Sequence, residues 1–268
     1  MALVAVLASD LDVALAAAAA GAAVVRAAYG GALVKQAKSG TDFATNADID
    51  AEQAILDVIT RARPEDAVVG EESGRGGGVG GSRRWLVDPL CGTLNFAACT
   101  PLVALNVALV DGSRTLVAVS VDPIADEVFW TDGQRAMVRD GGVDTQLKPS
   151  PESLLVDVNC GGPLDRPFLG PQLIVDPAFR AAFGPRVLST TLAVAWVAAG
   201  RRAAYVSDGG FIDNVHYAAG IGLCRAAGCV VTDLSGGPLE TGRGLIVGAD
   251  PETHERVVRL VAPHLIEK

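Results

Sequence analysis

A run of small apolar residues near the chain start, "VALAAAAAGAAVV" at 13–25, is bounded by Ser9 and Asp10 before it and Gly30-Gly31 after it. A serine or aspartate ahead of such a run caps a helix, and the glycine pair ends it, so the pattern predicts a helix. From Ala47 onward Ile49, Ile55, Leu56 and Ile59 recur at near-helical spacing, with Pro64 past the stop, which predicts a second. Asp48 and Asp50 fall at its start, where the helix dipole favours acids. "AVVGEESG" predicts a short strand running into a loop. The glycine-dense "GRGGGVGGSRR" predicts a flexible surface loop leading into the strand "RRWLVDPL". Residues 101–139 hold three apolar runs punctuated by Asp111-Gly112 and Asp132-Gly133, the pattern of an antiparallel meander.

"LKPSPES" at 147–153 has the composition of a connector, dividing 1–148 from 149–268 within one compact unit. The second part alternates element types: strand "SLLVDV", helix "TTLAVAWVAAG", strand "RAAYVS", helix "NVHYAAGIGLCRAAG", strands "CVVTDL" and "GLIVGA", and helix "PETHERVVRLVAPHL". That alternation predicts a layered α/β fold rather than a helix bundle or a barrel of short strands.

Composition narrows the function. Half the 268 residues are hydrophobic and a fifth charged, the balance of a soluble globular protein, with a core built largely from alanine and valine. The net charge of −9 leaves no basic surplus for a nucleic-acid backbone but suits cations. The 13–25 run is short for a bilayer and flanked by Asp10 and Asp12 rather than basic residues, so no membrane association is expected. Five cysteines without a CxxC pair indicate neither a disulfide framework nor a zinc finger, and point to the reducing cytoplasm. Gly76, Gly78 and Gly81 formally satisfy GxGxxG, but the segment leads into a strand rather than a helix, so no dinucleotide site is predicted.

Three acidic clusters then stand out: Asp48 at a helix start, Glu71-Glu72 just past a strand, and Asp88 at the end of another. Acids at strand ends lie where α/β folds place their ligands. Around them the chain reads Thr45-Asn46-Ala47-Asp48, Gly70-Glu71-Glu72-Ser73 and Asp88-Pro89-Leu90-Cys91-Gly92-Thr93-Leu94-Asn95-Phe96. Further on come His216-Tyr217-Ala218-Ala219-Gly220 and "LSGGPL" at 234–239. In this order these segments resemble the inositol monophosphatase family over nearly the whole chain.

The resemblance implies a layered αβαβα sandwich, a homodimer, and hydrolysis of a small phosphorylated metabolite (a sugar, cyclitol or nucleotide phosphate) with two or three Mg²⁺ ions held by oxygen ligands. By position it implies that Glu71, Asp88 and the Leu90 carbonyl hold the first ion. Thr93, hydrogen-bonded to Asp48, would orient and help deprotonate the attacking water, with Glu71 or Glu72 near a weaker ion. The Gly92 and Thr93 amides would meet the phosphate, and Ser189 and Thr190 would sit beside the substrate.

The pattern breaks at the second ion. The family holds it with three acids, and here the set reads Asp88, Cys91 and His216. A thiol and an imidazole are poor Mg²⁺ ligands, yet an Asp-Cys-His set suits Zn²⁺ or another transition metal such as Fe²⁺. Two readings compete: loss of that site, with Mg²⁺ binding at the remaining carboxylates and altered or no turnover, and exchange of its metal. Asp213, three residues before His216, is the alternative source of the missing carboxylate if the following helix starts early.

Overall fold

The computed structural model describes residues 8–38, 42–78, 82–161, 168–211 and 213–265. The first helix, α1 (Asp10–Ala28), starts at a reciprocal cap: the Ser9 hydroxyl accepts from the Asp12 amide at 3.1 Å, and the Asp12 carboxylate accepts from the Ser9 amide at 3.0 Å. At 19 residues it outruns the apolar stretch and is, by length and composition, long enough to cross a membrane, which removes the length argument made from the sequence. Val13, Ala14, Ala17, Ala18 and Ala22 are nonetheless buried in the protein core. A two-stranded ribbon, β1 (Lys35–Ala37) with β2 (Phe43–Thr45), leads into α2 (Asn46–Ala62).

Next come β3 (Ala67–Gly70), β4 (Gly74–Gly77), β5 (Arg83–Cys91), the short α3 (Thr93–Ala97), β6 (Ala104–Asp111), β7 (Arg114–Asp122), β8 (Glu127–Thr131), β9 (Ala136–Asp140) and β10 (Val143–Gln146). They form an eight-stranded sheet in the order β10-β9-β8-β7-β6-β5-β3-β4, antiparallel throughout except where β3 runs parallel to β5. The predicted glycine loop is therefore partly wrong: Gly74–Gly77 is the exposed edge strand β4, paired with β3. Glycines weaken strand patterning, so the pairing is carried by the neighbour rather than by side chains. Residues 79–81 of that predicted loop lie outside the described residues.

The remaining elements are β11 (Leu155–Val158), α4 (Leu169–Val175), α5 (Pro177–Ala182), β12 (Gly184–Val187), α6 (Leu192–Ala198), β13 (Ala204–Ser207), α7 (Ala218–Ala227), β14 (Val230–Thr232), β15 (Leu245–Gly248) and α8 (Pro251–Val261). The second sheet runs β12-β11-β13-β15-β14, with β11 parallel to both its neighbours.

Strand alternation sorts the layers. On β5, Trp85 and Val87 point into a core shared with α1 and α2, while Leu86 joins Ala108, Ala118 and Ala219 under α7. Helices α6 and α7 lie between the sheets, packing on Phe129 of one and on Tyr205, Leu245 and Val247 of the other. Outside the second sheet, Leu173, Phe179, Val257 and Val261 of α4, α5 and α8 cover Val156, Val158, Val206 and Ile246. The order helix, sheet, helix, sheet, helix is the αβαβα sandwich that the resemblance implied. Small residues make the close layers possible. A Cβ at Gly21 would fall 2.6 Å from Leu105 Cδ1 and 2.7 Å from Ile55 Cδ1.

Candidate metal centre

Asp88 shares the parity of Leu86, so β5 turns its carboxylate toward the middle layer, where it is fully buried. The strand continues past it through an irregularity in register between Asp88 and Cys91, with Cys91 paired to Ala104. Asp88 is thus within the strand rather than at its end. His216 comes from the turn before α7, which begins at Ala218 rather than Asn214. The three side chains converge: one ligand atom from each of Asp88, Cys91 and His216 lies within 4.8 Å of the others.

His216 Nδ1 is 2.8 Å from Asp88 Oδ2, and its amide donates to Asn214 Oδ1 at 3.0 Å. Burial disfavours its charged form, but the charge and hydrogen bond of Asp88 prevail and push the imidazole up to about 9. Cys91 Sγ accepts from the Thr191 amide at 3.3 Å; burial first, then the Asp88 charge, hold its thiol well above the usual range.

Glu71 lies just past β3, its amide donating to the Val87 carbonyl at 3.1 Å. One carboxylate oxygen accepts from Lys38 at 3.1 Å. The other, Oε2, is buried with no hydrogen-bond partner and sits 3.9 Å from His216 Nδ1. Burial, reinforced by the neighbouring Asp88 charge, pushes Glu71 up to about 8. Glu72 accepts from Lys38 at 2.7 Å, and its pKa is raised by burial against that pairing.

The turn carrying both acids is clamped by Glu52, a residue the sequence reading missed. Its carboxylate, 2% exposed, accepts from the amides of Glu72 at 2.9 Å and Ser73 at 2.7 Å. Gly70 lets it approach, since a Cβ there would stand 2.6 Å from the carboxylate. The available signal was an acid one turn beyond Asp48 on the same helix face as Ile55 and Ile59, which are both buried. Asn106 was also missed. It pairs with Asp88 across β6 and donates to Thr191 Oγ1 at 2.8 Å, steadying the segment whose amide reaches Cys91.

Asp48 has two tasks. Oδ2 accepts from the Thr45 amide at 2.8 Å in the α2 capping box, while Oδ1 accepts from the Thr93 hydroxyl at 2.9 Å. The Leu90 carbonyl is 3.2 Å from the same hydroxyl. Burial raises the Asp48 pKa despite its bonds to Thr45 and Thr93. Gly92 makes the turn with φ of +101°, and a Cβ there would meet the Leu102 carbonyl at 2.9 Å.

These groups border a cleft of about 330 Å³. Glu71, Leu90, Cys91, Gly92, Thr93 and His216 line it, together with Ser189 and Thr190. The Ser189 carbonyl faces the Asn95 amide group at 3.4 Å, and Thr190 Oγ1 accepts from the Leu192 amide at 3.3 Å. Asp213 does not join the cluster. It stands in a turn with φ of +51° and is ion-paired to Arg84, because α7 starts too late to rotate it inward.

The donor chemistry fits a cation. A buried carboxylate oxygen with no donor, as at Glu71 Oε2, is costly without one. Glu71, Asp88 and the Leu90 carbonyl supply the oxygens a hard divalent ion takes. The oxygen, sulfur and nitrogen of Asp88, Cys91 and His216 form a three-ligand set suited to a borderline ion with one open position.

Known proteins share this arrangement of chain and fold. The profile of the inositol monophosphatase family matches residues 7–265. A protein named Nus factor SuhB from Pasteurella multocida is 32% identical over 240 residues, covering 86% of each chain. An inositol-1-monophosphatase of Caulobacter vibrioides is 30% identical over 229 residues, 82% of this chain and 88% of that one. Among solved structures, the extragenic suppressor protein suhB of Bartonella henselae superposes with a TM-score of 0.84 at 27% identity, over 95% of this chain and 98% of that one. An inositol monophosphatase from Anabaena gives 0.77 at 25% identity, over 95% and 96%. With a profile spanning almost every residue and relatives matched over more than four-fifths of each chain, the chain belongs to the inositol monophosphatase family.

Proposed function

We propose that this protein is a metal-dependent phosphomonoesterase for a small sugar, cyclitol or nucleotide phosphate, and that its second metal position takes Zn²⁺ or Fe²⁺ in place of Mg²⁺. The observation that carries this is the convergence of Asp88, Cys91 and His216 within 4.8 Å, beside the unpartnered Glu71 oxygen. In this reading Glu71, Asp88 and the Leu90 carbonyl hold one ion, and Asp88, Cys91 and His216 the other. The bound ions would polarise the phosphate, lower the pKa of water and stabilise the leaving alkoxide.

The side chains do the rest. The Thr93 hydroxyl, donating to Asp48, presents its lone pairs toward the cleft and holds a water by accepting one of its protons. As that proton is taken up, the Thr93 proton passes to Asp48 Oδ1. Burial raises the Asp48 pKa and so makes it a better acceptor. The turn amides of Gly92 and Thr93 receive the phosphate oxygens. Glu72, tied to the same Lys38 as Glu71, would supply a second carboxylate for a weakly held ion.

Elemental analysis of the purified protein tests the metal assignment, together with hydrolysis of a sugar-phosphate panel in Mg²⁺, Mn²⁺ and Zn²⁺. Stoichiometric zinc or iron that disappears in Cys91→Ala and His216→Ala is expected; magnesium dependence untouched by both changes sinks the exchange. A second reading, a non-catalytic ligand-binding or partner protein, is favoured by one observation. The His216–Asp88 pair already occupies an oxygen of the carboxylate common to both ion positions. Absence of bound metal and of turnover in every condition would select it.

A further inference from the structure

Two of the five cysteines, neither of which lines the cleft, meet at the end of α7. The helix stops at Gly228, left-handed with φ of +92°. The Gly228 amide donates to the Arg225 carbonyl at 3.2 Å, and the Cys229 amide donates to the Cys224 carbonyl at 2.9 Å. This pair of bonds is a Schellman stop, in which the side chains at the two ends of the longer turn come into contact. Here both are thiols.

The backbone bond limits how far apart they can stand. A carbonyl oxygen lies about 2.4 Å from its own Cα, and an amide nitrogen about 1.5 Å from its own. With 2.9 Å between that oxygen and nitrogen, the two Cα atoms are at most about 6.8 Å apart whatever the angles, inside the limit of about 7 Å for a disulfide. Both side chains also belong to one core, with Val194, Val197, Leu245 and Val247 between the sheets. Burial first, then the Cys229 thiol beside it, hold the Cys224 thiol well above its usual range. The Cys224 thiol donates to the Val194 carbonyl of α6 at 3.2 Å. Access differs between the two: Cys224 is fully buried, whereas Cys229 is 9% exposed. An oxidant near water in size fits that opening, and a bulky disulfide does not.

We propose that Cys224 and Cys229 form a reversible disulfide, made by hydrogen peroxide, that clasps the end of α7. The Cys229 thiolate attacks one peroxide oxygen and the O–O bond breaks. The departing hydroxide takes the proton that the thiol released, leaving one water and a sulfenic acid on Cys229. The Cys224 sulfur then attacks the Cys229 sulfur, the S–O bond breaks, and hydroxide leaves with the Cys224 proton as a second water. Two thiols are oxidised by two electrons in all, and one peroxide is reduced to two waters. Forming the link removes the proton that Cys224 gives to Val194, so a tie between α6 and α7 is exchanged for one within the α7 stop. In a reducing compartment such a link is transient, and thiols reverse it by exchange. It needs neither the metal nor the substrate of the phosphomonoesterase reading.

Arg225 lies between the two cysteines, which makes a peptide map the direct test. Trypsin releases 203–225, whose one cysteine is Cys224, and 226–243, whose one cysteine is Cys229. Native wild-type protein is treated with hydrogen peroxide, its remaining thiols are alkylated, and the digest is read by mass spectrometry. The two peptides should appear joined, and dithiothreitol should part them. Cys224→Ser keeps the size and the donor to Val194 but removes the second sulfur. Cys229 should then stop at the sulfenic acid and be labelled by dimedone, which leaves the wild type unlabelled. Both cysteines still free after a treatment that oxidises the exposed Cys99 would overturn the proposal. So would Cys229 carried to sulfinic or sulfonic acid in the wild type with no joined peptide, or Cys224 joined to a different cysteine. If Cys224→Ser fails to fold, the wild-type map decides alone.

Discussion

Glu52→Gln is the sharpest probe of how the acidic turn is held. The carboxylate is buried and accepts two amides, from Glu72 at 2.9 Å and Ser73 at 2.7 Å, on separate oxygens. Glutamine keeps the shape but offers one acceptor; whichever way it flips, its NH₂ faces an amide N–H. One charge-assisted bond, about 1.5–3 kcal/mol, becomes a donor–donor contact, and the orphaned amide adds a penalty of about 1–3 kcal/mol that partly overlaps it. The net loss should be about 2–4 kcal/mol, a large share of a typical stability of about 5–15 kcal/mol. Urea unfolding at neutral pH measures it, with the exposed Glu252→Gln as a control expected within about 0.5 kcal/mol of wild type. Because Glu71 and Glu72 ride on the same turn, metal content or metal-induced stabilisation should fall alongside. A Glu52→Gln protein as stable as the control would refute the clamp, since no arrangement of a carboxamide satisfies both amides.

Three further outcomes are expected. Restoring both family acids with Cys91→Asp and His216→Asp should raise Mg²⁺-dependent hydrolysis of sugar phosphates, and an unchanged rate would show that these positions are not the defect. Thr93→Val keeps the shape but removes the hydroxyl between Asp48 and the cleft; kcat should drop at least about a hundredfold, the scale of general acid–base catalysis, with a small change in KM, and a retained kcat rules out the relay. Asp157 is fully buried beside Arg202, and burial, opposed by the arginine charge, pushes it from 3.8 up to about 6. Folded chains therefore hold a proton that unfolded chains release between these values, so this contribution to stability is present in acid and lost as pH rises through about 6. Its ceiling is about 3 kcal/mol. Thermal unfolding of wild type should weaken relative to Asp157→Asn from pH 4 to 7.5, and parallel profiles would contradict the assignment.

Local patterning carried much of the fold. Ser9 with Asp12 and Thr45 with Asp48 cap helices by contacts three residues apart, which a linear reading can see. Strand alternation at 85–88 likewise determined that Trp85 and Val87 face one layer and Leu86 and Asp88 the other. The chain between 160 and 187 showed no such pattern, and α4, α5 and β12 went unpredicted. They are short elements whose stability comes from packing Leu173 and Phe179 on the second sheet rather than from their own periodicity. Gly74–Gly77 became a strand because β3 offered an edge, which no glycine run announces.

The same division runs through the site. Motif order alone named Asp48, Glu71, Asp88, Cys91, Thr93 and His216, because the family resemblance is carried by short contiguous segments. It left Asp213 and His216 as rivals for one position. That choice depended on where α7 begins and on Arg84, 129 positions away in sequence, capturing Asp213. Glu52 and Asn106 lay equally beyond reach, since each acts through partners brought near only by the packed sheets. The sequence by itself determined which chemical groups the protein possesses and which face of each element they occupy. Only the tertiary structure decided which of them meet, because side-chain proximity across layers is a property of packing rather than of spacing along the chain.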